Sequence, residues 1–114
     1  MLERANRLTN SHSFDVIYRK GTKTVGKYLV LYTLESNRPT KKVGFVVGKK
    51  VGKSVIRNKV KRRLRESVRA VLPQMKKGIS YIFVARTSAS EATFVQLENC
   101  VNSLLSQADM VDKV

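Results

Sequence analysis

Tryptophan is absent, and cysteine and histidine occur once each, as Cys100 and His12. One cysteine permits no internal disulfide, and with one histidine there is no cluster at zinc-ligand spacing. Cys100 reads as a small, partly buried helix residue and His12 as a surface side chain before a helix. No pair of carboxylates is placed for acid and base work, and no Ser/His/Asp or Cys/His spacing supplies an activated nucleophile. Gly52-Lys53-Ser54 has the ending of a nucleotide-phosphate loop, but the glycine required five positions before Gly52 is Val47. Proline is scarce too: Pro39 and Pro73 punctuate the chain, no low-complexity linker or internal repeat divides it, and 114 residues suit a single domain. No apolar run approaches membrane-spanning length, and the start, Met-Leu-Glu-Arg, lacks the apolar core of a secretory signal, so a cytoplasmic protein is expected.

Acid is the other shortage. Residues 1–86 carry 22 Lys and Arg against 4 Asp and Glu, whereas residues 87–114 carry 1 against 4. The net charge is +15, and residues 41–65 alone hold eleven Lys or Arg with no acid. A run of cations on a helix is most often a solvated face, but a face built for solubility does not require the exclusion of every carboxylate. A polyanion that neutralises the self-repulsion does account for it, and RNA or DNA is the expected partner. An anionic membrane surface fits less well, because no basic amphipathic helix is flanked by Trp. The acidic C-terminal segment is expected to stay clear of the polyanion. Sulfate or phosphate is expected to stabilise the free protein.

Taken in order, residues 1–10 are polar and irregular and are expected to fray, with Arg4 and Arg7 as extra phosphate contacts. Ser11 or Ser13 is expected to cap a short helix that runs to about Lys20 and stops at Gly21, with Phe14, Ile17 and Tyr18 on one face. Residues 24–34 alternate and read as one central strand, with Tyr28, Val30, Tyr32 and Leu34 on one side and Leu29, Leu31 and Thr33 on the other. Residues 35–40 form a turn by composition. Residues 43–48 read as a second strand whose Gly44, Val46 and Gly48 leave one face low and open. Ser54 is expected to cap a helix ending before Pro73, with Ile56, Val60, Leu64, Val68 and Val71 as its buried stripe and Asn58, Arg62, Arg65 and Arg69 opposite, flanked by Lys61. Residues 79–86 read as another central strand. Ser88 and Glu91 suggest a capping box for a last helix with the stripe Phe94, Leu97, Val101 and Leu104, and residues 108–114 are expected to loosen.

The order is therefore α-β-β-α-β-α, with room for an extra hairpin strand: a mixed sheet with helices packed on it. Strands flank the basic helix, which argues against a DNA-binding helix-turn-helix. Aromatic rings beside cations suit unstacked single-stranded RNA. Tyr28 is better read as core, while Phe14, Tyr18 and Tyr32 fit either a core or a base-stacking role.

The block Val43-Gly-Phe-Val-Val-Gly-Lys49-Lys50-Val-Gly-Lys53-Ser-Val-Ile-Arg57-Asn58-Lys59-Val-Lys61-Arg62-Arg63-Leu-Arg65-Glu closely resembles the signature of the protein subunit of bacterial ribonuclease P. Asn6-Arg7-Leu8, Phe14, Gly21, Leu29-Val-Leu-Tyr32 and Tyr81-Ile-Phe-Val-Ala-Arg86 resemble the same family, so the likeness covers roughly residues 4–105. One departure is Lys59, where the family has arginine: lysine keeps the charge and loses the bidentate fork. The resemblance implies a two-layer α/β sandwich of about four strands and three helices, of the ribosomal protein S5 domain 2-like type, with a left-handed βαβ crossover that composition does not suggest, since right-handed crossovers are the rule. It implies an accessory subunit without a catalytic side chain, assisting an RNA that removes the 5′ leader of precursor tRNA with Mg²⁺ bound mainly by that RNA. Lys49, Lys50, Lys53, Arg57, Asn58, Lys59, Lys61, Arg62, Arg65 and Arg69 are then the set that binds the catalytic RNA. Phe14, Tyr18, Tyr32, Val46 and Gly48 are the leader cleft. A structural RNA-binding protein of ribosomal type is the alternative, and a protein-only nuclease a third.

Overall fold

The computed structural model describes residues 6–8 and 10–111 of the chain; the expected contact at Arg4 and the ends at 1–5 and 112–114 lie outside them. Helix α1 (Ser11–Lys20) is capped by Asn10, whose side-chain oxygen accepts the His12 N–H at 2.9 Å. Asn10 therefore replaces Ser11 or Ser13 as the cap, and His12 lies inside the helix. The helix stops where expected: the Gly21 N–H returns to the Ile17 carbonyl at 2.8 Å. Space demands glycine there, because a Cβ would stand 2.5 Å from the Ile17 carbonyl oxygen and 2.7 Å from that of Thr33. Since both obstacles are backbone, Gly21→Ala is expected to cost about 1–3 kcal/mol. The test is a lowered urea midpoint at constant slope; an unmoved midpoint would show that the two backbones separate freely.

The alternating run at 24–34 is two strands, β1 (Thr22–Val25) and β2 (Leu29–Glu35), paired antiparallel. The chain reverses between them at Gly26, whose N–H bonds the Leu29 carbonyl at 2.8 Å. Tyr28 sits in the reversal and carries the apolar alternation through it, which hides the turn. With β3 (Lys41–Val46) and β4 (Ile79–Ala85) the sheet order is β1-β2-β4-β3. β2 and β4 are antiparallel and β3 and β4 parallel, so the sheet is mixed and both expected central strands are central. Helix α2 (Ser54–Val71) connects the parallel pair, and α3 (Phe94–Gln107) closes the fold.

Odd-numbered residues of β2 and β4, including Leu29, Leu31, Tyr81 and Phe83, join Val60, Leu64 and Val68 of α2 and Leu97, Val101 and Leu104 of α3 in one core. Removing these side chains from water is the main stabilising term. Helix α1 lies against the even-numbered face, where Ile17 and Ile82 are buried.

Several expected details change. A 3₁₀ turn at Lys49–Val51 precedes α2, whose cap position is Lys53 and not Ser54, with no side-chain cap bond. Ser54 Oγ instead accepts from Arg57 Nη2 at 3.2 Å. Ile56 is 38% exposed and leaves the buried stripe, because the first turn of α2 precedes the point where the core begins at Val60. Residues Thr87–Glu91 form a 3₁₀ turn, and the capping box belongs to Thr93 and Gln96. Ser88 is engaged elsewhere: its hydroxyl donates to the Lys27 carbonyl at 2.9 Å. Phe94, also 38% exposed, gives way in the α3 stripe to Cys100 and Leu105. The ends are tied further than expected. Leu8 N–H bonds the Val43 carbonyl at 2.9 Å, Asn6 Nδ2 bonds that of Lys41 at 2.9 Å, and Lys76 N–H bonds that of Met110 at 2.9 Å. Among the described residues no helix is long and apolar enough to cross a membrane.

Candidate nucleic-acid interface

Strand register lays two rows side by side on the even-numbered face. Lys23, Tyr32, Ile82 and Gly44 form one, and Val25, Val30, Val84 and Val46 the next. Helix α1 covers the first row. Phe14 lies so close over Gly44 that a Cβ there would be 2.5 Å from its Cζ. The expected openness at Gly44 is therefore filled by an aromatic ring. Tyr18 meets Tyr32 edge-on at 4.9 Å between centroids, and Phe14 lies 6.5 Å from Tyr18. The valine row is only partly covered: Val25 is 54% exposed, and Val30, Val84 and Val46 are intermediate. Beyond it, Gly48 is exposed, with no atom within 4 Å of where its Cβ would stand.

The result is an apolar trough across four strands, bordered by Phe14, Tyr18 and Tyr32. Of the five predicted cleft residues, Phe14, Tyr18 and Tyr32 border it, Val46 lies in its floor and Gly48 at its end. Val25, Val30 and Val84 were missed, because their alignment follows from strand register and not from any one strand. Burial holds the Tyr18 hydroxyl above its ordinary pKa, with the neighbouring Tyr32 and Asp15 adding to the effect, so the ring stays uncharged at neutral pH. Lys23 Nζ stands 6.0 Å from the Tyr32 ring centre. Tyr28 is partly buried against the main core, as its reading as core requires.

The cationic surface lies on α2 and the turn before it. This helix has no interior glycine or proline, and Val60, Leu64 and Val68 anchor it to the sheet. Asn58, Lys61, Arg62 and Arg65 converge with Glu66 on one surface hollow of about 390 Å³. Lys49, Lys50, Lys53 and Lys59 are exposed. Arg57 is partly committed inward, its Nε donating to the Gly52 carbonyl at 3.1 Å. Arg69 pairs with Glu66 at 3.8 Å, a mostly exposed pair that contributes little stability. Arg63, absent from the predicted set, donates from Nη1 to the Ala92 carbonyl at 2.8 Å and is structural.

At the C-terminal end of α2, Lys41 Nζ donates to the Leu72 carbonyl at 2.6 Å, a cation placed with the helix dipole. The N-terminal end is the reverse: no acid occupies its first turn, and Lys53 holds the cap position, with Arg57 in the first turn. A phosphate there would relieve the repulsion between these cations and the positive pole of the helix.

A family model described as Ribonuclease P matches residues 2–109. The ribonuclease P protein component of Alkaliphilus oremlandii is 38% identical over 107 residues, 94% of each chain. Among solved structures, that of a Staphylococcus aureus RNase P protein mutant with defective mRNA degradation activity is similar with a TM-score of 0.89 at 30% identity, covering 94% of this chain and 91% of that one. The RNase P protein from Thermotoga maritima gives a TM-score of 0.81 at 28% identity, covering 89% and 96%. With a family model matching nearly the whole length, and relatives matched over most of theirs, the chain belongs to the ribonuclease P protein component family.

Proposed function

We propose that this protein is the RNA-binding subunit of the ribonuclease P ribonucleoprotein, assisting a catalytic RNA in removing the 5′ leader from precursor tRNA. The cationic side of α2 binds the catalytic RNA, and the valine trough holds the single-stranded leader. The observation that carries this reading is the presence of two different surfaces. One is dense in cations suited to a folded RNA, and the other is aromatic and aliphatic, suited to unstacked bases. A valine floor offers no side-chain hydrogen bond, so the leader is held by stacking and backbone contacts with little sequence preference.

Magnesium supplies metal-activated water when bound to the RNA. Among the described residues there is no group of three or more His, Cys, Asp or Glu able to hold a metal ion, and in this reading the ion is held mainly by phosphate oxygens of the RNA. The protein's part is to neutralise phosphate and position the leader.

Tyr32→Ala and Tyr18→Ala are each expected to reduce affinity for leader-bearing precursor by about 1–3 kcal/mol and to leave mature tRNA unaffected. Equal losses with both RNAs would reject the leader role. The mRNA degradation activity named for the S. aureus protein favours a second reading, in which the protein itself cleaves single strands. Cleavage of an mRNA by protein freed of all RNA decides for that reading; binding without cleavage decides for ours.

A further inference from the structure

We infer a distal nucleotide site between the β1–β2 turn and α3, which takes a base and phosphate of the single strand after it leaves the valine trough. This rests on the leader reading above. Val25 links the two places: it ends the valine row, and it also lines a hollow of about 470 Å³ formed with α3. Four strands spaced about 4.8 Å apart make a crossing of about 14 Å. A strand entering beside β3 therefore emerges at β1, the sheet edge, where this hollow begins.

The hollow has the chemistry of a nucleotide site. Gln96, Asn99, Ser103 and Gln107 recur at intervals of three and four along α3 and line it. Gln96 Oε1 accepts the Thr93 N–H and Gln107 Nε2 donates to Ser103 Oγ, so the Asn99 amide is the group with both donor and acceptor open to a base. Amides offer both donors and acceptors, as base edges require. Lys27 supplies a cation for phosphate, its Nζ 5.3 Å from the centre of the Tyr28 ring. No carboxylate lines the hollow. The acidic balance of the C-terminal segment, which suggested that it avoids the polyanion, does not extend to this side of α3.

The turn is also built to hold still. Arg86 Nη1 donates to the Gly26 carbonyl at 2.8 Å, Ser88 Oγ to that of Lys27 at 2.9 Å, and the Arg86 N–H to that of Tyr28 at 2.8 Å. Gly26 lets the turn seat closely on α3, since a Cβ there would be 3.0 Å from Cys100 Sγ and 3.1 Å from Leu104 Cδ2. A turn fixed in advance has less freedom to lose on binding.

The experiment compares two precursor tRNAs, one with a leader just long enough to cross the trough and one extended by several nucleotides. With the wild-type protein in the holoenzyme, extension is expected to improve affinity about tenfold. Asn99→Leu, which changes no charge, and Lys27→Ala should each remove most of that gain and leave the short-leader affinity unchanged. A gain that survives both substitutions overturns the site, as does a loss confined to Lys27→Ala, which would reduce it to general charge attraction. Tyr32→Ala separates the two readings: if it leaves short-leader affinity intact, the trough reading fails, and if it lowers that affinity while extension brings no gain sensitive to Asn99, the distal site alone fails.

Discussion

Replacing Arg62 and Arg65 together by alanine is expected to weaken binding to ribonuclease P RNA on the order of a hundredfold at low salt and to lower the salt slope by about two. Both guanidinium groups line the hollow shared with Asn58 and Lys61, and neither makes a hydrogen bond or ion pair among the described residues. Each is free to take a phosphate and release its counterions, which is what the slope counts. Arg63 provides the control. It stands on the same helix with the same charge, but its guanidinium is spent on the Ala92 carbonyl. Arg63→Ala should therefore cost about 1–2 kcal/mol of stability, as for a lost hydrogen bond to a charged group, with a much smaller change in slope. A double variant with an unaltered slope would mean that these two side chains point away from the RNA.

The second large effect lies on the opposite side of the same helix. Leu64 is 0% exposed and sits in the core shared by α2, α3 and the sheet. Leu64→Ala should cost about 2–5 kcal/mol, the range for a leucine deleted from a packed interior. Since a small domain has roughly 5–15 kcal/mol in total, the variant should be partly unfolded in warm, dilute buffer. RNA or sulfate that binds the folded form should restore it by mass action. Its RNA affinity should therefore fall with an unchanged salt slope, opposite to the pattern of the double arginine variant. A changed slope in Leu64→Ala would mean that the helix face had been rearranged, not merely depopulated.

The helix that carries these two predictions was the most legible part of the sequence. Its polar and apolar residues separate by helical period alone, which puts Val60, Leu64 and Val68 on one side and Asn58, Arg62 and Arg65 on the other. Misreadings arose where two local signals compete. Ser88 with Glu91 and Thr93 with Gln96 both have the spacing of a capping box, and burial of Ala89 and Ala92 in the intervening turn favours the later one. Tyr28 extends an alternation that Gly26 has already interrupted.

The trough was half legible for a different reason. Two of its three bordering rings, Phe14 and Tyr18, follow from a spacing of four within α1, and Tyr32 from the alternation of β2, both of which are local. Its floor requires that Val25, Val30, Val84 and Val46, on four strands, fall in one register, and nothing local to any strand specifies that. Gly44 shows the same limit, since an open glycine and one filled by a ring from α1 look alike in sequence. Lys59 is exposed, and as a lysine it can offer a phosphate only a monodentate contact.

Reconstitution tests the central claim most directly. Ribonuclease P RNA from a relative is incubated with precursor tRNA at a Mg²⁺ concentration too low for the RNA alone, with and without this protein. The account predicts that the protein restores 5′ cleavage, that the Arg62/Arg65 double variant does so poorly, and that the protein without the RNA releases no leader. Unchanged activity of the RNA on adding folded protein would contradict it.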